Sequence, residues 1–489
     1  MTNRPVETRA TALLVAGLAT VWLGAGSSRA RAAEVFERGK ILEHVVCRDS
    51  ADQSYALYLP ASVPSTARRP VLYLFDPAAR GSVAVEHFRP AAEKFGWILV
   101  ASNNSRNGPW EPTLKAARAM WLDSVARLPI DQARVYAGGF SGGARVASLF
   151  PGIIGRAIAG IVGVGAGVAE GVVKLDDIGA SAYLGIVGLA DFNYPEMKRL
   201  DADLDRTTLP HRVLFYEAPH QWPDQQTASR AVGWMEVVAI RQGTRSKDGV
   251  LIEEVWNDEI ANASGLAASG NPFWAVRQYD ATASLFEGLR DVTVVAAQTE
   301  RLRQSREYGV FSKNEAQRDQ RSASLLQDFQ RASASIDQSA GDRAELVAVL
   351  RDLRLGTLKK EASSARALED RSLAYRSLVG FSVELQQKGY ESYNKKDWPR
   401  ASAFFERGAE ASPEGDARAG NLYYMLACVT ARRGDGKSAL KHLETAVGKG
   451  FSNVQALETE EALAKIRTTA GFRALLERVK RGREPVPIR

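Results

Sequence analysis

Hydrophobic and polar positions divide this chain into two regions of different period. From Val35 to about Arg241, β-branched and aromatic runs alternate with amphipathic segments. SYALYLP (54–60) alternates as a strand does, and PVLYLFD (70–76) is continuously apolar, as expected for a strand covered on both faces. VEHFRPAAEKFG (85–96) has helical spacing and stops at a glycine. WILVASNN (97–104) and ARVYAGGF (133–140) read as strands, with the helical pattern LKAARAMWLDSVARL (114–128) between them. GARVASLF (143–150) opens a helix. IAGIVGVGAG (158–167), AYLGIVGLA (182–190) and RVLFYEAP (212–219) are further strands, and the helix ASRAVGWMEVVAIRQ (228–242) closes the region. This β–α alternation predicts an α/β fold with a doubly wound, mostly parallel sheet.

After Gly243 the strand-length runs almost vanish, and Ala, Leu, Glu, Arg and Gln dominate with helical spacing. Residues 244–380 read as a helical region with no clear repeat. Residues 381–489 carry one. Gly389, Ala401, Phe405 and Pro413 are separated by 12, 4 and 8 residues, the intervals of the tetratricopeptide pattern. Gly408 stands where alanine is usual. Ala427, Ala439, Leu443 and Ala446 keep the same relative spacing 38 residues later. Small residues there let paired helices cross closely, and bulky ones fill the gaps between them. FRALLERVKR (472–481) predicts a final capping helix. The whole is an all-α domain on which a protein partner could dock.

The first 33 residues change the picture of where the chain works. Arg4 and Arg9 precede the apolar run from Thr11 to Gly26, and Ala30-Arg31-Ala32 supplies small residues at a cleavage-site spacing. The run is short for a membrane span, which needs roughly 20 apolar residues. Residues 1–33 therefore predict a cleaved signal peptide, a secreted or periplasmic protein and no stable membrane insertion afterwards. Cleavage removes Arg4, Arg9, Arg29, Arg31 and Glu7, lowering the formal charge from +7 to +4. So dilute a charge excludes an electrostatic case for nucleic acid. The chain has two cysteines, Cys47 and Cys428, too few for a disulfide framework. Its five histidines lack paired spacing, so neither a metal nor a cofactor is expected.

The candidate chemistry centres on YAGGFSGGA (136–144), which contains Gly139-Phe140-Ser141-Gly142-Gly143. This G-x-S-x-G falls between a predicted strand and a predicted helix, as a nucleophile elbow requires. Its strained turn leaves no room for side chains two residues either side of the serine, so Gly139 and Gly143 suit it. The Gly142 N–H and the helix N-terminus would face a developing oxyanion. A serine nucleophile needs a base. His220 follows the strand RVLFYEAP and so shares the carboxyl edge with Ser141, whereas His211 precedes that strand and lies at the wrong end. Asp191 ends the strand AYLGIVGLA at the same edge and is the candidate acid. Near that edge, Arg80 and Arg106 could meet an anionic group, and Trp110, Phe192 and Trp222 could form an apolar wall.

With the elbow GFSGG and the order Ser141, Asp191, His220 at three strand ends, residues 35 to 243 resemble the α/β-hydrolase superfamily. Within it they are similar, loosely, to secreted esterases of the feruloyl esterase and polyhydroxybutyrate depolymerase type. The resemblance implies a second oxyanion donor in the turn after PVLYLFD. The family's usual His-Gly is absent there, and FDPAARG (75–81) stands in its place. Pro77 has no N–H, which leaves Ala78 as the better donor and Ala79 as the other. The expected arrangement is a signal peptide (1–33), a catalytic domain (34–243), a helical region (244–380) and the repeats (381–489). The expected activity is hydrolysis of small-molecule or polymeric carboxylic esters through an acyl-enzyme. The alternatives are a serine peptidase and a repeat-based binding protein on an inactive hydrolase scaffold. The segment before the elbow leaves no room for the N-terminal propeller common in the superfamily's peptidases.

Overall fold

The computed structural model describes residues 36–62, 64, 67–338 and 353–482. The expected signal segment, 1–33, lies outside them. Eight strands form one sheet: β1 (Ile41–Cys47), β2 (Ser50–Tyr58), β3 (Arg69–Phe75), β4 (Ile98–Ser102), β5 (Ile130–Phe140), β6 (Gly160–Val164), β7 (Tyr183–Gly188) and β8 (His211–Tyr216). Their spatial order is β1-β2-β4-β3-β5-β6-β7-β8. β1 and β2, and β2 and β4, pair antiparallel, while every later pairing is parallel. This is the mostly parallel α/β sheet that the alternating pattern predicts.

The continuous apolar run of β3 is buried on both faces for an identifiable reason. Leu72 and Leu74 point into a core shared with α1 (Gly81–Phe95) and α5 (Gln225–Arg241). Tyr73 and Phe75 point the other way. Tyr73 packs at 5.4 Å from Trp121 of α2 (Trp110–Arg127) and at 5.0 Å from Phe150 of α3 (Gly142–Ile154). A period of two with both faces covered leaves no polar position. In β5, Gly138 lets neighbouring strands close in: a Cβ there would lie 3.3 Å from both Leu72 and Val162. Sequence periodicity did not single out α4 (Tyr194–Leu204), which covers β7 and β8 with Met197 and Leu200.

The remainder is helical: α6 (Gly249–Ala268), α7 (Pro272–Phe286), α8 (Thr293–Arg303), α9 (Arg306–Gln338), α10 (Leu355–Ser364), α11 (Leu368–Asn394), α12 (Trp398–Ala411), α13 (Arg418–Arg432), α14 (Gly436–Gly448), α15 (Val454–Thr459) and α16 (Ala470–Arg481). The shift at Gly243 is one of secondary structure and not of packing. Leu251, Ile252 and Val255 of α6 and Leu285 and Phe286 of α7 join the same core as the sheet. Arg212 of edge strand β8 donates to Glu259 of α6 at 2.6 Å, with Gln278 of α7 beside them, all buried. This buried cluster ties those two helices to the edge strand.

In the last hundred residues, the positions with tetratricopeptide spacing sit at helix contacts. Ala401, Phe405, Ala427, Ala439, Leu443 and Ala446 are fully buried. A Cβ on Gly389 of α11 would lie 2.5 Å from the Phe405 ring of α12, so only glycine permits that crossing. Asp397 and Asp435, 38 residues apart in the sequence, cap α12 and α14 by accepting from the Arg400 and Ser438 N–H groups. Among the described residues, no helix is long and apolar enough to cross a membrane.

Candidate active site

Ser141 stands between the last residue of β5 and the first of α3, at φ 55° and ψ −121°. A left-handed φ is costly for a residue with a Cβ, and such strain gathers at functional turns. The neighbours show what holds it. A Cβ on Gly139 would collide with the Gly143 carbonyl, and one on Gly143 would collide with the Phe75 carbonyl of β3. The Ser141 N–H donates to the Val164 carbonyl at 2.7 Å. The turn is therefore clamped between β3 and β6, and the hydroxyl is left above the sheet's carboxyl edge.

Three side chains from three strand ends meet there. Ser141 Oγ lies 3.0 Å from His220 Nε2, and His220 Nδ1 lies 2.8 and 2.9 Å from the Asp191 carboxylate oxygens. Asp191 is almost wholly buried and also accepts the Asn193 N–H at 2.8 Å. The neutral tautomer that satisfies all three side chains carries its proton on Nδ1, leaving Nε2 to accept from the serine hydroxyl. Phe140 and Phe192 pack against the imidazole at 4.5 and 4.3 Å between ring centres, limiting its freedom. Gly165 at φ 61° brings the β6 turn against Asp191 and His220, where a Cβ would crowd both.

The turn after β3 departs from the expected oxyanion arrangement. Asp76 is buried, and its carboxylate collects that turn's donors: Ala78 N–H at 2.8 Å, Arg80 Nε and Nη2 at 3.0 and 2.9 Å, and Trp222 Nε1 at 2.9 Å. The Ala79 N–H donates to the Asp76 carbonyl at 3.0 Å. Neither Ala78 nor Ala79 thus has a free N–H for an oxyanion. Arg80 is likewise committed to Asp76 and does not line the serine cleft. Trp222 is buried beneath the site, against His87 and Phe140, and forms no cleft wall. The common cause is a buried carboxylate that must be satisfied locally. Asp-Pro-Ala-Ala is a turn signature in which an aspartate side chain caps its own backbone two residues on, and that signal was readable.

Burial raises the Asp76 carboxyl's proton affinity, but the hydrogen bonds from Arg80, Trp222 and Ala78 outweigh it and hold the pKa below the ordinary carboxylate value. A depressed folded value contributes stability above the unfolded pKa, about 3.9, and that contribution is lost as pH falls through the folded value. Asp76→Asn is expected to lose about 1.5–3 kcal/mol at neutral pH. The gap in Tm between variant and wild type should narrow as pH drops below 4. A gap constant down to pH 2 would show that the charge is not what stabilises the turn.

The serine opens into a cleft of about 370 Å³. Arg106, Trp110 and Phe192 line it, together with Asn107 and Arg145. Arg145 is held by Glu196 through two contacts of 3.2 and 2.9 Å. The far wall comes from the helical region: Val383 and Gln387 of α11. That helix is fixed to the sheet by Arg376, whose Nη1 donates to the Leu189 carbonyl at 2.8 Å and whose guanidinium lies 4.3 Å above the Tyr194 ring. The two cysteines are free and buried, and burial pushes each thiol up to about 12, which removes them as rival nucleophiles. Among the described residues, no group of three or more His, Cys, Asp or Glu could hold a metal ion.

No family model matches the chain, and no curated protein matches it. Solved structures similar to it include the S-formylglutathione hydrolase of Staphylococcus aureus, at 15% identity over 37% of this chain and 90% of that one, with a TM-score of 0.31. An esterase of Pyrobaculum calidifontis is 12% identical over 42% of this chain and 87% of its own, with a TM-score of 0.33. Esterase 2 of Thermogutta terrifontis, solved with butyrate bound, is 14% identical over 42% and 96%, with a TM-score of 0.32.

Proposed function

We propose that this chain is a serine hydrolase of carboxylic esters. The observation that carries the reading is the hydrogen-bonded line from Ser141 Oγ through His220 to the buried Asp191, built on a strained serine. In this reading Oγ attacks the ester carbonyl carbon while its proton passes to His220 Nε2. Asp191 holds the ring in place and stabilises the imidazolium. Collapse of the tetrahedral intermediate breaks the carbon–oxygen bond, and the alcohol leaves with the proton from Nε2. Water then attacks the acyl-serine by the same route, releasing the acid and restoring the serine.

The oxyanion is held by two donors. One is the Gly142 N–H, which opens α3 where a helix has no internal acceptor. The other is the side chain of Asn107. A Cβ on Gly142 would collide with Asn107 Oδ1, so the carboxamide lies directly against the Gly142 backbone, its oxygen nearer than its nitrogen, in the same cleft as Ser141. The Asn107 backbone N–H is anchored to the Pro77 carbonyl at 2.9 Å, which fixes its place. The donor role requires a half-turn about the last side-chain bond, which exchanges Oδ1 for Nδ2. A side-chain amide thus takes the part that the β3 turn cannot, its N–H groups being spent on Asp76. Labelling of Ser141 by a fluorophosphonate probe tests the reading against that of an inactive scaffold. Folded protein that remains unlabelled would sink it.

We also read residues 381–489 as tetratricopeptide-like helix pairs, a reading supported by the equal spacing of the Asp397 and Asp435 caps. The chain is proposed to act after export, on the strength of residues 1–33. The mature protein recovered from its native host should begin at Glu34, as N-terminal sequencing would show. A mature protein that retains Arg4 would overturn export by cleavage.

A further inference from the structure

A second cavity, of about 620 Å³, lies on the other side of Phe192. α4 borders it from the sheet side, and α9 and α11 border it from the helical region. Phe192 and Asn193 line both this cavity and the serine cleft. On α11, Gly380 lines the cavity and Val383, one turn on, lines the cleft. Much of its surface is apolar, from Phe192, Leu326, Phe329 and Phe381. Leu326 is 51% exposed, so the groove leaves a large apolar side chain to water.

Arg376 closes the cavity's inner end: it is 6% exposed and its Nη1 is paired with the Leu189 carbonyl. Charged side chains, Lys198, Arg199, Asp319 and Glu384, line the cavity beside the apolar ones. Apolar walls with a few polar groups are the composition of a small-molecule site.

We propose that this cavity receives the alcohol portion of the substrate, and that the substrate class is esters of apolar alcohols. The proposal rests on the serine hydrolase reading. Its direction follows from proton delivery. The leaving alcohol takes its proton from His220 Nε2, so it must lie on the histidine's side of the scissile bond. Phe192 bounds that side, with its ring 4.3 Å from the imidazole, and it also lines the second cavity. The acyl group stays on Ser141, in the more polar cleft with Arg106, Asn107 and Arg145.

The test is a pair of substrate series on the full chain: acetate esters of straight-chain alcohols from ethyl to octyl, and ethyl esters of acids from acetate to octanoate. Along the alcohol series kcat/KM should rise by about fourfold per buried methylene until the cavity fills. Along the acyl series it should stay nearly flat. Ala323→Trp on α9 and, independently, Gly380→Leu on α11 should each flatten the alcohol series. A Cβ at Gly380 already reaches within 3.5 Å of Phe192 Cβ, so a leucine must intrude on the cavity. Thermal unfolding checks that each variant is folded. A flat alcohol series in wild type, a dependence on acyl length instead, or a steep alcohol series in both folded variants would overturn the proposal. Absence of turnover of every ester, together with absence of fluorophosphonate labelling, would overturn the hydrolase reading itself and this inference with it.

Discussion

Ser141→Ala should abolish ester turnover, with kcat falling by on the order of 10⁴- to 10⁶-fold, while the fold survives. The size follows from what is removed. Without Oγ there is no covalent intermediate, and His220 has no hydroxyl to deprotonate. What remains is binding and the oxyanion donors, which accelerate attack by water only modestly. Stability should barely move. Among the described residues Ser141 Oγ hydrogen-bonds to His220, and alanine meets the same backbone strain at φ 55° that serine does. The Tm of the variant is therefore expected within about 2 °C of wild type, by the usual scale for small surface changes. The two measurements must be read together. Loss of activity with an unchanged Tm assigns the nucleophile, loss of both assigns nothing to chemistry, and wild-type-like turnover would falsify the role of Ser141.

How much of this arrangement could be read from the chain depends on whether its cause is local. The strand β3 was legible because a residue covered on both faces leaves no polar position, and PVLYLFD has none before its final aspartate. The turn at Ser141 was legible because two close backbone approaches, of Gly139 to Gly143 and of Gly143 to Phe75, each exclude a side chain. Asp191 and His220 were reached by asking which residues follow parallel strands at one edge, and the structure brings both within 3 Å of their partners.

The turn FDPAARG shows the opposite. The resemblance implied a donor for the oxyanion there, but the fate of an N–H depends on what else is buried beside it. Asp76 is that group, and it draws on Trp222, 146 residues away. The wall from α11 was beyond reach for the same reason. Val383 and Gln387 line the serine cleft because Arg376 grips the Leu189 carbonyl, 187 residues earlier in the chain. No periodicity encodes such a contact. The helix α4 fell between these cases: YPEMKRLDADL follows Asp191 so closely that the strand end absorbed the reading.

Asn107→Ala should lower kcat by about 10²- to 10³-fold with little change in KM, the usual cost of one oxyanion donor. The split between the two constants matters. A group that only positions the substrate acts on the ground state as well, and its loss raises KM. A donor aimed at the oxyanion strengthens as charge grows on that oxygen, so its loss appears in kcat. Asn107→Asp sharpens the test. It preserves shape but places an acceptor, and at neutral pH a negative charge, where negative charge must develop. It should be at least as damaging as alanine. Asn107→Ser keeps a short donor and should recover part of the loss. The alternative donors make a contrasting prediction. If the Ala78 N–H served the oxyanion, freeing it by Asp76→Ala, which removes the acceptor, would raise kcat, and removing the Asn107 amide would leave turnover intact. The Asp76 carboxylate holds that N–H at 2.8 Å, and the Asn107 carboxamide sits against Gly142 in the cleft. So the loss should fall on Asn107, and kcat for folded Asp76→Ala should not exceed that of wild type.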